Sequence, residues 1–239
     1  MEIATLRMIM KVERLWANLA QDVKMLTERQ DIGKALSEEE VKRLLVACRR
    51  SPSPSLYPAV VVFCNTGLRN AELRCAVWGQ IDFLKAEFHV GRSKTAAGEG
   101  RIIPLNQTAL QAFQDWRARC SNVAPSDFIF PSKKLRFKGE GSVERGTMTP
   151  YDSDLSRPLG SWKKAWHSAK KEARVECRIH DLRHHFISAL AQTQTPDATI
   201  QAISGHLSRK MLEHYSHVRL EAKRRAVESL DLIKVETVQ

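Results

Sequence analysis

Residues 81–105 constrain the fold most, because they alternate apolar and polar side chains within a chain whose other regularly patterned segments follow a helical spacing. The segments 81–83 and 87–90 alternate in this way, and so does 101–103 before Pro104. The residues between the last two, 91–100, include three glycines and are typical of a hairpin loop. The sequence therefore predicts a small antiparallel sheet at this point.

Helices are predicted on both sides of this stretch. Ser37 and Glu40 have the spacing of a capping box, and the apolar positions 41, 44, 45 and 48 that follow place one helix face in the core. Apolar spacing and helix-breaking residues predict further helices over 56–65, 69–78, 108–120, 161–174 and most of 181–236, with breaks at 195–196 and 205. The predicted fold class is mainly α with a small antiparallel β-sheet (α+β).

The chain is predicted to consist of an arm and one domain. Residues 1–34 are loosely patterned and are predicted to form an N-terminal arm or linker, either a remnant or the end of a preceding domain. Residues 35–239 form the predicted main domain. Within it, residues 131–160 combine prolines with basic side chains, which predicts a long basic loop that a partner would order.

The net charge narrows the class of partner. Lys and Arg number 38 against 27 Asp and Glu, which gives a net charge of +11. Such an excess favours nucleic acid first and an anionic membrane surface second, and a merely soluble basic protein is the alternative. Candidate phosphate contacts lie in the basic loop and on the polar side of helix 161–174: Lys133, Lys134, Arg136, Lys163, Lys164, Lys170 and Lys171. A solvated helix face explains the helical lysines equally well.

The sequence also predicts the cellular compartment. The longest apolar run, 59–64, is too short to span a bilayer, and the first residues are interrupted by charges at positions 7, 11 and 14. Five dispersed cysteines without a CxxC pair are typical of reduced thiols. We therefore expect a cytoplasmic protein with no membrane partner.

Histidines cluster near the C-terminus, where six of the eight lie between positions 180 and 217. His180 and His184 have the i, i+4 spacing of paired metal ligands. However, the run HDLRHH lacks the glutamate of HExxH, and no cysteine or carboxylate set completes a zinc site, so no metal site is predicted.

The same segment fits a phosphate better. His180 and Arg183 are three residues apart and share one helix face. A guanidinium can contact two phosphate oxygens, and an imidazole can exchange a proton near neutral pH. Further along, Gly205 permits close backbone approach and His206 adds a donor. By spacing alone, Tyr215 is an aromatic residue on a buried helix face.

Taken in order, these motifs resemble one family. The set comprises TGLRNAEL at 66–73, Lys94 in the hairpin, HDLRH at 180–184, SGH at 204–206 and Tyr215, nine residues after His206. Together they resemble the catalytic domain of the tyrosine recombinases, or phage-type integrases, over about residues 35–230. The resemblance implies the fold of that catalytic domain.

The resemblance also implies the chemical roles. Tyr215 is the expected nucleophile that joins a DNA 3′-phosphate and releases a 5′-hydroxyl. His180 is the expected general base, and Lys94 the expected general acid for the leaving 5′-oxygen. A free tyrosine has a pKa of about 10, so it needs such a base or a cationic pocket to attack at neutral pH.

The remaining roles concern the phosphate. The resemblance implies that Arg69 and Arg183 hold the non-bridging oxygens, that His206 donates to the scissile phosphate, and that Glu72 orients the catalytic groups. A salt-bridged surface glutamate is the alternative for Glu72.

The resemblance further implies a recombinase that needs neither metal, ATP nor another cofactor, because the covalent intermediate stores the phosphodiester energy. Its expected partner is double-stranded DNA, bound by a homo-tetramer on paired sites, in a bacterial or phage-encoded system associated with the nucleoid. Family members carry a core-binding domain before the catalytic domain, where this sequence has residues 1–34. A DNA-binding module without turnover and a type IB topoisomerase-like activity are the alternatives.

Overall fold

The computed structural model describes residues 2–19, 33, 35–91, 98–120, 122–133, 153–193, 195–205 and 207, with single positions at 220, 224 and 227. The chain divides into two compact units, Met1–Ile32 and Gly33–Gln239. In the first unit, helix α1 (Glu2–Val12) precedes a single turn, α2 (Trp16–Leu19), and the Arg7 guanidinium lies 5.5 Å from the centre of the Trp16 ring.

The second unit is mainly helical, with two small antiparallel sheets in its described part. Its helices are α3 (Glu38–Arg50), α4 (Leu56–Thr66), α5 (Asn70–Arg74), α6 (Gln107–Ala118), α7 (Lys163–Ala173), α8 (Ile179–Gln192) and α9 (Asp197–Ser204). Its strands are β1 (Ile81–Asp82), β2 (Glu87–His89), β3 (Ile102–Pro104), β4 (Pro131–Lys133) and β5 (Ser153–Pro158). None of the described helices is long and apolar enough to cross a membrane.

Helix α3 confirms the predicted capping box. The Ser37 hydroxyl accepts from the Glu40 backbone N–H at 3.2 Å, and the Glu40 carboxylate accepts from the Ser37 N–H at 2.9 Å. These two bonds satisfy backbone donors that the first helical turn would otherwise leave unpaired. Leu44 and Cys48 are buried, as the apolar spacing predicts.

The predicted antiparallel sheet is confirmed in the order β1-β2-β3. Phe88 at its centre pairs with Ile81 on one side and Ile103 on the other. Phe88 and Ile103 are fully buried, and the Phe88 ring stacks on Phe113 of α6 at a centroid distance of 6.0 Å. One face of the sheet therefore packs on helices, which fixes the base of the hairpin loop.

The prediction of a continuous loop over 131–160 is wrong at both ends, where β4 and β5 pair antiparallel. Residues 134–152 lie outside the described part. The Phe128 N–H donates to Leu155 O at 3.0 Å, the Leu159 N–H donates to Phe130 O at 2.8 Å, and the buried Phe130 ring packs on Trp162 at 5.3 Å. The core contacts of Phe130 thus bring together two segments whose own composition is typical of loops.

The helix predicted over 69–78 is shorter than expected. Helix α5 ends at Arg74, and a separate 3₁₀ turn spans Trp78–Gln80. The Trp78 N–H donates to Asp127 O at 3.0 Å, and the Gly79 N–H donates to Pro125 O at 2.7 Å. These long-range bonds replace the helical ones, so tertiary contacts override local helix preference.

Helix α4 passes through the core with buried residues on every side, and it packs on α3, α6 and α8. It ends at Gly67, whose φ of +62° is a left-handed conformation that favours glycine. A Cβ at this position would meet the Phe186 ring of α8. The chain therefore turns sharply against α8, which brings Arg69 to the start of α5.

Candidate active site

The first element of the candidate site is the turn between α4 and α5, which carries Arg69. The Glu72 carboxylate accepts from the Arg69 backbone N–H and from Arg69 Nη1, both at 2.8 Å. The first bond caps α5, and the second holds the guanidinium. Glu72 is buried and Arg69 keeps a side-chain exposure of 17%. A substrate oxygen can therefore reach Arg69.

The sequence analysis missed a third residue, Arg101, which contacts the same Glu72 carboxylate as Arg69. Arg101, just before β3, donates from Nη1 to Glu72 Oε1 at 3.0 Å and from Nη2 to Glu72 Oε2 at 2.6 Å. Its alternation with Ile103 places it on the buried face of the strand, where a charged residue requires a partner. That pattern was the signal available in the sequence.

The second element is the first turn of α8, which carries His180 and Arg183. The Asp181 carboxylate accepts from the Arg178 backbone N–H at 2.7 Å and caps the helix. Arg183 is buried, and its Nη1 donates to Gly67 O at 2.6 Å. This bond joins α8 to the turn that carries Arg69, so the structure brings the two predicted phosphate-binding arginines to one place.

The electrostatics at this place favour a neutral His180. Its pKa is lowered from 6.5 by partial desolvation first and then by the positive charge of Arg183, with a smaller contribution from Arg69. His180 remains exposed to solvent. At neutral pH its imidazole is therefore unprotonated and can accept a proton.

His184 lies one helical turn after His180 on α8, and their rings meet edge to face at a centroid distance of 5.1 Å. His184 is buried, and a Cβ on Gly33 would meet its ring, so the backbone of Gly33 packs closely against it. Among the described residues, no group of three or more His, Cys, Asp or Glu side chains could hold a metal ion.

Burial of His184 predicts a pH-dependent stability. Desolvation and then His180 lower the His184 pKa to about 4 from 6.5. Between these two pKa values the unfolded chain binds a proton that the folded chain does not. The contribution of His184 to the free energy of unfolding is therefore fully present above pH 6.5 and is lost as the pH falls toward 4. We expect this histidine to account for about 2–3 kcal/mol of that loss.

Urea unfolding at pH 7.5 and pH 4.5 measures this effect. His184→Gln should lose less stability than the wild type between the two pH values. The exposed His167 of α7 is the matched control, and His167→Gln should behave as the wild type does. An identical pH dependence of His184→Gln and the wild type would contradict the assignment.

Three predicted catalytic residues, Lys94, His206 and Tyr215, lie outside the described residues. The hairpin that carries Lys94 is closed at its base by Val90 and Arg101, whose backbones are joined by a 2.9 Å hydrogen bond. The segment that carries His206 begins at Gly205, directly after α9.

The predicted DNA-binding residues are described only in part. Lys163, Lys164 and Lys171 are exposed on α7, and Lys170 pairs with Glu176 at 3.1 Å. The buried stripe on the other side of α7 includes Trp166 and Ala169, as the spacing predicts. The Lys133 side chain, Lys134 and Arg136 lie outside the described part.

Known proteins share this sequence pattern. The sequence model of the phage integrase family matches residues 34–221. The integrase of Salmonella phage P22 is 28% identical over 211 residues, which cover 86% of this chain and 50% of that protein. The tyrosine recombinase XerA of Pyrococcus furiosus is 26% identical over 206 residues, which cover 84% of this chain and 63% of that protein. The chain thus spans half to 63% of these two relatives.

Solved structures share the fold. The Tn1549 transposon integrase in complex with circular intermediate DNA matches with a TM-score of 0.63 at 18% identity, covering 94% of this chain and 78% of that one. A XerA recombinase crystal structure matches with a TM-score of 0.59 at 22% identity, covering 96% and 77%. The catalytic domain of bacteriophage HP1 integrase matches with a TM-score of 0.54 at 18% identity, covering 82% and 95%. The chain belongs to the phage integrase family and has the fold of a tyrosine recombinase catalytic domain.

Proposed function

We propose that this chain cleaves and rejoins DNA strands through a covalent 3′-phosphotyrosyl intermediate at Tyr215, as part of a site-specific recombinase or integrase. The observation that carries the proposal is that Arg183 binds Gly67 O in the turn that leads to Arg69, while His180, whose pKa is lowered, lies on the same helical turn as Arg183. Two guanidiniums and a proton acceptor suit a phosphodiester, whose negative charge rises in the transition state.

In the proposed reaction the Tyr215 oxygen attacks the scissile phosphorus. The O–P bond to tyrosine forms as the bond from phosphorus to the 5′-oxygen breaks. The tyrosine proton passes to His180, and Lys94 supplies a proton to the leaving 5′-oxygen. Arg69, Arg183 and His206 stabilise the phosphate, and Glu72 orients Arg69. Religation is the reverse, so no metal, ATP or other cofactor enters the balance.

The proposed partner is double-stranded DNA. Two solved structures with a similar fold contain DNA: the Tn1549 transposon integrase in complex with circular intermediate DNA, and a lambda integrase dimer bound to a core site. The net charge of +11 suits the same partner. We propose a homo-tetramer on paired sites, acting on nucleoid or phage DNA in the cytoplasm of a bacterium. Because the chain spans only part of its relatives, recombination is proposed for the whole protein and strand cleavage for this chain.

A nicked suicide duplex tests the cleavage step. Attack beside the nick releases a short 5′-hydroxyl fragment, so religation fails and the adduct accumulates. The duplexes carry a randomised sequence, and denaturing gels detect DNA joined to protein. Mass spectrometry of the adduct peptide should place phosphodeoxyribose on Tyr215. DNA binding without any adduct would support the non-catalytic binding module instead, and sequence-independent relaxation of supercoils would support the topoisomerase alternative.

The exposed lysines of α7 predict a specific salt dependence. If Lys163, Lys164 and Lys171 contact phosphates, each replacement by alanine should reduce the slope of log affinity against log salt by about 0.9. Fluorescence anisotropy between 50 and 300 mM salt, which brackets the physiological range of roughly 0.15 M, measures the slope. Lys85→Ala in the β1–β2 turn is the matched control, because this exposed lysine faces Asp82 at 3.9 Å. An unchanged slope in the α7 variants would show a solvated face.

A further inference from the structure

Arg101 occupies the base of the hairpin loop. The Val90 N–H donates to Arg101 O at 2.9 Å, and the Gly100 N–H donates to Val90 O at 2.9 Å. The loop that carries Lys94 therefore leaves the sheet at Val90 and returns at Arg101. The Arg101 side chain has an exposure of only 6%, so its guanidinium lies within the protein.

The buried guanidinium connects three separate segments. It contacts both carboxylate oxygens of Glu72 at the start of α5. Its Nη1 also donates to Gly98 O at 2.6 Å, near the end of the hairpin loop, and its Nε donates to Ile203 O at 3.0 Å, near the end of α9. These segments respectively follow Arg69, follow Lys94 and precede His206 in the chain.

The charges explain why a second arginine is useful here. Glu72 has a side-chain exposure of 2% and carries one negative charge, while Arg69 and Arg101 carry two positive charges. With Arg101 on both carboxylate oxygens, the trio keeps a net positive charge, and Arg69 is its more exposed member. Without Arg101, the carboxylate would offset the charge of Arg69 and weaken its attraction to a phosphate.

We propose that Arg101 is a positioning residue of the strand-cleavage site. It offsets the charge of Glu72, so that Arg69 remains available to the phosphate. It also binds the backbone carbonyls of Gly98 and Ile203, which lie four residues after Lys94 and three residues before His206 in the chain. This inference rests on the proposed function, because it gives Arg101 a role in keeping Arg69 available for DNA cleavage.

Four variants test the inference on the nicked duplexes with which the wild type forms the adduct. Arg101→Met removes the charge at similar length, and Arg101→Lys keeps the charge but cannot contact both carboxylate oxygens as a guanidinium does. The double variant Arg101→Met/Glu72→Gln removes both charges. Arg117→Met is the matched control, because the Arg117 guanidinium lies over the Trp78 and Phe83 rings.

The single-turnover rate of adduct formation at saturating DNA is measured together with DNA affinity and melting temperature. Arg101→Met should slow adduct formation about 30-fold or more and change affinity less than about 3-fold, as expected for an interaction needed in the transition state. Arg101→Lys should fall between Arg101→Met and the wild type. The double variant should form the adduct at least about 5-fold faster than Arg101→Met, because no carboxylate at position 72 then offsets the positive charge of Arg69. Arg117→Met should cleave as the wild type does.

Other results overturn the inference. A wild-type rate in Arg101→Met excludes a positioning role. If Arg101→Met is unfolded, Arg101→Lys decides: a folded variant at the wild-type rate overturns the inference. A rate loss that follows the fraction unfolded, without recovery in the double variant, shows a structural role only. If the wild type itself forms no adduct on any DNA, the proposed function fails, and this inference fails with it.

Discussion

Replacing Tyr215 by phenylalanine should abolish the covalent adduct and reduce strand cleavage by at least about 1000-fold, with DNA affinity changed less than about 3-fold. The variant loses the oxygen that attacks phosphorus in the proposed reaction but keeps an aromatic ring of nearly the same size. Denaturing gels on the nicked duplex measure the adduct, and anisotropy on the same duplex measures affinity.

The chain supplies matched controls, because it has three tyrosines. Tyr57 lies on α4, where its hydroxyl accepts from Arg49 Nη2 at 2.6 Å and its ring lies 4.6 Å from the Arg49 guanidinium carbon. Tyr57→Phe and Tyr151→Phe should form the adduct as the wild type does. An adduct that persists in Tyr215→Phe and disappears in either control would assign the nucleophile elsewhere.

Replacing Arg183 by lysine should lower the cleavage rate about 100- to 1000-fold, the range expected for loss of one group that stabilises transition-state charge. The lysine keeps the positive charge, but it lacks the planar fork that can contact Gly67 O and a phosphate together. Cleavage should therefore fall even when DNA binding and folding remain close to those of the wild type. Single-turnover rates at saturating DNA and circular dichroism measure the two effects.

Arg119→Lys provides the comparison for this loss. Arg119 is exposed at the C-terminal end of α6 and has no proposed part in cleavage. We expect this variant to cleave within about 3-fold of the wild type, as is usual for a surface substitution. If Arg183→Lys also cleaves within that range, the proposed role of Arg183 in holding the phosphate is wrong, and the Gly67 contact serves only to pack α8.

Local sequence signals predicted the elements that depend on neighbours in the chain. The capping box of Ser37 and Glu40 forms because its partners are three residues apart. The sheet around Phe88 follows from alternation, which sends every second side chain to the core. Arg69 and Glu72 pair for the same reason as the cap, since residues three apart on a helix are neighbours.

Tertiary packing decided what depends on residues far apart in sequence. Arg183 and Gly67 are 116 positions apart, and Arg101 and Ile203 are 102 apart. Alternation indicates that Arg101 is buried and needs a partner, but spacing alone does not show which distant segment supplies that partner. The same reason explains β4 and β5, whose pairing follows from the burial of Phe130.

The sequence by itself thus determined the capped helix α3, the central sheet, the order of the motifs and the family, because each depends on residue type and short spacing. Only the tertiary structure revealed that Gly67 O anchors Arg183 and that Glu72 is shared by Arg69 and Arg101. The first contact joins α8 to the end of α4, and the second joins α5 to the base of the hairpin. A buried charge is stable there only when opposite charge and hydrogen-bonding partners surround it.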